Sequence, residues 1–148
     1  MTVNLDFTII YFFRFAATIS KSFYFYLPVG TITFDYVLVD LGRNFDASLG
    51  EFVVPTKGRY IFMVDGTLGS GGNSATIDLV LNEGSIRQFS ENNDSSYFHK
   101  SIIGIFSVQL NPGDVVKLRN ENANTVHVNI HYPFRFMGVL IDEEDSPT

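Results

Sequence analysis

The chain is predicted to be all-β, a sandwich or barrel of antiparallel strands. Three observations predict it. Short apolar runs recur between clusters of turn-forming residues at fairly regular spacing. No stretch carries apolar residues at helical spacing. Aromatic usage is shifted to Phe, with 15 Phe and 7 Tyr but no Trp, and such rings suit a pleated, half-buried surface. The 148 residues are about one domain's worth and suffice to bury a core.

Residues 7–19 are rich in apolar side chains, but Arg14 interrupts them and no basic residue precedes them. The run is shorter than the roughly 20 apolar residues of a membrane span. For residues 1–21 three readings stand open: a poor signal peptide cut near Ser20, an extra strand, or an imperfect gene start. The globular domain is expected over 22–142.

Residues 22–27 read as a strand turned by Pro28-Val29-Gly30, and 31–41 as one long β-rich stretch broken by Gly42-Arg43-Asn44. A short run over 51–54 stops at Pro55, and 59–64 is a strong strand. Residues 69–74 form a glycine-rich loop before a strand at 75–81. A strand over 102–110 ends at Asn111-Pro112-Gly113-Asp114, where Pro presets one backbone angle and Gly admits positive φ. Strands at 115–119, 126–131 and 134–141 follow, with an acidic tail at 143–148.

Two strand types differ in a way that bears on assembly. Residues 126–131 alternate, as a strand with one wet face does. Residues 60–64 and 134–141 are apolar on both faces. A sandwich has one inner face per sheet, so the second apolar face needs another cover. Contact with another subunit supplies it, because burying a large apolar side chain contributes about 1.5–3 kcal/mol.

Six segments, in order, carry a family resemblance. They are residues 33–42, 45–52, 55–62, 79–82, 108–116 and 136–141. Together they resemble the C1q globular domain of the C1q and tumour-necrosis-factor superfamily. The resemblance implies a jelly-roll β-sandwich of about ten strands that trimerises around a hydrophobic axis. It places Tyr60, Phe62, Phe134, Phe136 and Gly138 in the core or trimer contact. This chain departs from the pattern at Asp40, where the family has Asn, at Phe45, where it has Tyr, and at Glu83, which intervenes before Gly84 and makes that turn one residue longer. No Gly-X-Y collagen tract stands ahead of the domain.

The net charge of −6 argues against a nucleic-acid partner, which needs a basic face. Without Cys there is no disulfide framework, thiolate metal site or Cys nucleophile. No Gly-x-Ser-x-Gly elbow, P-loop or paired carboxylate dyad is present, so no catalytic residue is named and an enzyme is not expected. His127 and His131 lie four apart on a strand, which separates them and makes a poor metal pair; His99 has no partner in the sequence. The loops carrying Asn92, Asn93 and Asp94, and Asn122 and Asn124, are the expected ligand contacts, since binding residues concentrate in loops on rigid scaffolds. Asp94 and Glu121 are candidate Ca²⁺ ligands by their oxygen chemistry. Asn93-Asp94-Ser95 is a glycosylation sequon.

The resemblance implies a secreted homotrimeric recognition module that binds glycans, microbial surface molecules or a protein receptor. A structural knob for matrix assembly and a cytokine-like receptor ligand are the alternatives. No membrane span is expected.

Overall fold

The computed structural model of the chain describes residues 13–20, 25–69, 75–91, 99–121, 127–128 and 133–143. Thirteen strands and one 3-10 turn make up the described residues. Seven strands form one antiparallel sheet and six the other.

The seven-stranded sheet is built on β7 (Gly58–Gly69), whose whole length pairs with β10 (His99–Leu110). The other edge of β7 pairs with β13 (Phe134–Glu143) and, beyond it, with β12 (His127–Val128). β13 then pairs with β1 (Phe13–Ile19), and β1 with β4 (Tyr36–Asp40). β2 (Phe25–Tyr26) pairs with β12.

The six-stranded sheet runs β5 (Phe45–Asp46), β6 (Glu51–Val53), β11 (Val115–Asn120), β8 (Ala75–Leu81) and β9 (Gly84–Glu91), with β3 (Gly30–Thr31) also on β11. An all-β, jelly-roll sandwich is what the sequence predicts. Four of the described strands, β2, β3, β5 and β12, are two residues long.

Of the readings left open for residues 1–21, the described part, Phe13–Ile19, takes the form of a strand. β1 is no appendage. It lies between β13 and β4, bonded on both sides, and Phe15, Ala17 and Ile19 are buried. Phe15 is the hub of the aromatic core. Its ring stacks on Phe45 at 4.5 Å and lies 4.8 Å from Phe52 and 4.9 Å from Phe136. β1 is therefore packed together with the strands that follow residue 22. The sequence hides this because Arg14 breaks the apolar run, and Arg14 is the residue at which the β1–β13 register slips by one.

The expected single strand over 31–41 is also two. β3 belongs to one sheet and β4 to the other, and residues 32–35 cross between them. The crossing buries Ile32 and Phe34 and is pinned by Ile32 N–H to Leu118 O (2.8 Å) and Phe34 N–H to Ala47 O (3.0 Å). A run of β-prone residues does not reveal such a crossing, since Ile32-Thr33-Phe34 has the composition of a strand.

Tyr60, Phe62, Phe134 and Phe136 are all fully buried between the sheets. Tyr60 satisfies its hydroxyl by donating to Thr56 O at 2.7 Å, which removes the cost of an unpaired buried polar group. Gly138 lies against Phe15, and a Cβ there would overlap the ring. These residues make the core; none of the four aromatics reaches the outer face.

The departures from the family pattern have local explanations. Asp40 Oδ1 accepts the N–H groups of Asn44 (3.0 Å) and Phe45 (3.2 Å), a task an Asn side-chain oxygen performs equally. Asn82 and Glu83, both at positive φ (49° and 72°), form a two-residue hairpin turn, so Glu83 does not lengthen it. Glu83 in turn bonds Lys117 at 2.6 Å.

Candidate functional site

Side chains alternate along a strand, so each core residue of the seven-stranded sheet has neighbours that face outward. Cross-strand register aligns these into rungs. One rung holds Tyr36, Thr18, Arg135, Asp65 and Ile103. The next holds Val39, Ala16, Met137, Met63 and Ile105, and the third Phe13, Val139, Ile61 and Ser107. Ile103 is 75% exposed, Ile105 63%, Leu38 57% and Tyr36 56%. Met63, Met137, Ile61 and Val139 between them are half-buried. This is a contiguous apolar face on the outside of the sandwich, and among the described residues none covers it.

One ion pair interrupts the face. Arg135 donates from Nε to Asp65 Oδ1 at 2.8 Å and from Nη2 to Asp65 Oδ2 at 2.7 Å. The fork holds the guanidinium charged, raising its pKa above the ordinary value, chiefly through the hydrogen bond to Asp65.

Sequence reasoning located part of this face. It marked residues 60–64 and 134–141 as apolar on both sides, yet named their buried members. It missed Ile103 and Ile105, although Ile102-Ile103-Gly104-Ile105-Phe106 carries the same two-faced signal. Tyr36, Leu38 and the Arg135–Asp65 pair depend on register and leave no mark in the sequence.

The expected ligand loops fall mostly outside the described residues, among them Asn92, Asn93 with its sequon, Asp94, Asn122 and Asn124. Their flanking strand ends are described. β9 ends at Glu91 opposite Ala75, where β8 begins; β7 ends at Gly69, opposite both His99 and His127, where β10 and β12 begin. The segments at 70–74, 92–98 and 122–126 therefore leave from strand ends gathered at one end of the sandwich. His99 and His127 thus flank one glycine, whereas the sequence paired His127 with His131, which lies outside the described residues.

Among the described residues no three His, Asp or Glu side chains gather as a metal site. Glu121 is engaged by Arg119, Oε1 to Nε at 2.8 Å. Asp94, the other candidate Ca²⁺ ligand, lies outside the described residues.

A shallow depression of about 590 Å³ lies at the other sheet, lined by Asp40, Arg43, Asp46, Leu49, Glu51 and Val53 among others. Asp46 accepts from Ser48 Oγ at 2.6 Å and from the Ser48 and Leu49 N–H groups, and the Ser48 hydroxyl leads in holding its pKa below the usual carboxylate value. The Ser48 hydroxyl serves this turn, and the lining includes no histidine or lysine to act on it as a base.

Comparison with known proteins decides the family. The C1q domain model matches residues 14–141. The chain belongs to the C1q domain family. Its fold is similar to the globular domain of the zebrafish complement 1qA protein, with a TM-score of 0.68 at 18% identity, covering 88% of this chain and 98% of that one. It is also similar to Eiger TNF from S. frugiperda (TM-score 0.64, 16% identity, 93% and 98% covered). Murine APRIL is a third (TM-score 0.60, 13% identity, 85% and 98% covered). The match of this C1q domain from residue 14 agrees with β1 as an integral strand.

The motif residues of this C1q domain do structural work. Asp114, next to Gly113 at φ 90°, accepts the Asn111 N–H (2.8 Å) and the Asn82 side-chain amide (3.0 Å), while Asn82 Oδ1 accepts the Val115 N–H (2.9 Å). These contacts lock two turns together and present no ligand. Among the described residues no helix is long and apolar enough to cross a membrane.

Proposed function

We propose that the chain is a secreted homotrimeric recognition module that acts by binding and not by catalysis. The observation that carries this reading is the uncovered outer face around Ile103, Ile105, Met63 and Met137. Exposed apolar patches of this kind, joined across a rigid sheet, mark contact surfaces. Identical copies arranged in a closed ring cover such a face on each member, and the C1q domain resemblance favours three.

Trimer formation gathers three copies of the strand ends that carry residues 92–94 and 122–124. Ligand contact belongs at that end, with glycans, microbial surface molecules or a receptor as ligands and Asn92, Asn93, Asp94, Asn122 and Asn124 as contacts. Several weak sites in one particle raise avidity without new contacts. The likeness to Eiger TNF and APRIL structures supports a second reading, a cytokine-like receptor ligand.

Sedimentation velocity at micromolar concentration tests the assembly, and a stable monomer overturns it. Glycan arrays and whole-microbe pull-downs, beside screening against receptor ectodomains, separate the ligand classes. Retention on arrays that is lost in an N92A/N122A variant supports the first reading. Binding to one receptor without glycan retention supports the second.

A further inference from the structure

We propose that Arg135 and Asp65 form a donor–acceptor latch between copies, a role that rests on the trimer reading above. The pair lies inside the apolar face. Tyr36 and Ile103 stand exposed at the two ends of its rung, and Met137, Met63 and Ile105 fill the next. Covering that face covers the pair, whose side chains are now 50% and 30% exposed.

The hydrogen-bond inventory shows what covering requires. A guanidinium has five N–H donors and no acceptor. The fork to Asp65 uses two, leaving three. Each Asp65 oxygen accepts one of the fork's bonds and keeps lone-pair capacity. An apolar cover over these groups takes their remaining donors and lone pairs out of water with no partner, which is destabilising. A second copy offering the same pair resolves both halves at once. In a cyclic ring each copy presents one patch to the neighbour ahead and a different patch to the one behind. A pair with spare donors and spare acceptors serves both. Arg135 of one copy donates to Asp65 of the next, and the ring closes with every charge paired.

The fork also explains why the latch is ready-made. Asp65 and Arg135 are direct cross-strand partners on β7 and β13, so their geometry is set before any second copy arrives. Little side-chain ordering remains to oppose association.

The test uses the whole chain and a charge exchange, D65R/R135D, co-expressed with the wild type under distinguishable tags and examined by native mass spectrometry. The exchanged chain keeps an internal pair and a complementary ring of its own, but in a mixed ring Arg meets Arg and Asp meets Asp. The latch predicts separate trimers of each chain with few mixed species. A binomial mixture of wild-type and exchanged chains overturns the latch and leaves the trimer reading intact. If wild-type chains alone sediment as monomers, the trimer reading itself fails. Should the exchanged chain not fold, D65N gives the answer. The latch predicts that its trimer dissociates at a concentration at least about tenfold higher than wild type with an unchanged circular dichroism spectrum. An equal dissociation concentration overturns it.

Discussion

Phe15→Ala tests whether the N-terminal strand belongs to the domain. The ring is fully buried. Phe45, Phe52, Phe62 and Phe136 surround it at centroid distances of 4.5 to 6.3 Å. Truncating a buried Phe costs about 3–5 kcal/mol, in lost transfer energy and in the cavity left behind. Two features place this site in the upper half of that range. Aromatic pairs add roughly 0.5–1.5 kcal/mol beyond their buried area. β1 is also bonded to β13 and β4, so its backbone cannot sink into the void. With a loss of about 4 kcal/mol and a urea slope near 2 kcal/mol per M, the unfolding midpoint falls by about 2 M. The assay is urea unfolding followed by circular dichroism, at one fixed protein concentration because assembly is linked to stability. Val29→Ala is the control, an exposed residue outside the apolar face whose loss changes stability by about 0.5 kcal/mol or less. An F15A midpoint indistinguishable from the control would refute the placement of β1.

Other outcomes follow from the same geometry. A chain beginning at residue 21 loses a central strand and should be recovered only as insoluble or unfolded protein; a soluble chain with native circular dichroism would contradict this. Ile103→Lys with Ile105→Lys places two charges in the open face and should yield a folded monomer by sedimentation, because both side chains are exposed within one chain. The hydrogen bond from Lys117, aided by its charge, depresses the pKa of Glu83. A carboxylate depressed in the folded state stabilises above its ordinary value of 4.5 and loses that contribution as pH falls through the lower folded value. Thermal midpoints should therefore fall below pH 4.5, less steeply in Glu83→Gln, and parallel curves would show that the pair contributes nothing. Gly138→Ala forces a methyl into the Phe15 ring and should lower the thermal midpoint, whereas an unchanged midpoint would mean the ring has room to move.

Much of the fold was legible because turn chemistry is local. Asn111-Pro112-Gly113-Asp114 reads as a turn and is one, closed by Asp114 N–H to Asn111 O at 3.1 Å. Of the strands around the expected ligand loops, β8 was legible at 75–81, whereas β9 (Gly84–Glu91) went unread and β10 begins at His99, ahead of the expected 102. β1 was not, since a segment of seven residues holding an arginine reads equally as a leader and as a strand until its two neighbours are known. The boundary near residue 35 was missed because Ile32-Thr33-Phe34, which passes between the sheets, has the composition of a strand.

By itself, the amino-acid order determined an all-β protein with two-faced apolar strands and a surplus of apolar surface. A period of two says that alternate residues share a face; it carries no sign saying which face is inside. When both faces are apolar, only the second sheet decides. It buried Tyr60, Phe62, Phe134 and Phe136 and left Ile61, Met63, Met137 and Val139 outward. Pairing across strands decided the rest. Arg135 meets Asp65 seventy positions away, and His99 and His127 come to flank Gly69, because hydrogen-bonded register and not sequence separation sets which residues are neighbours in a sheet.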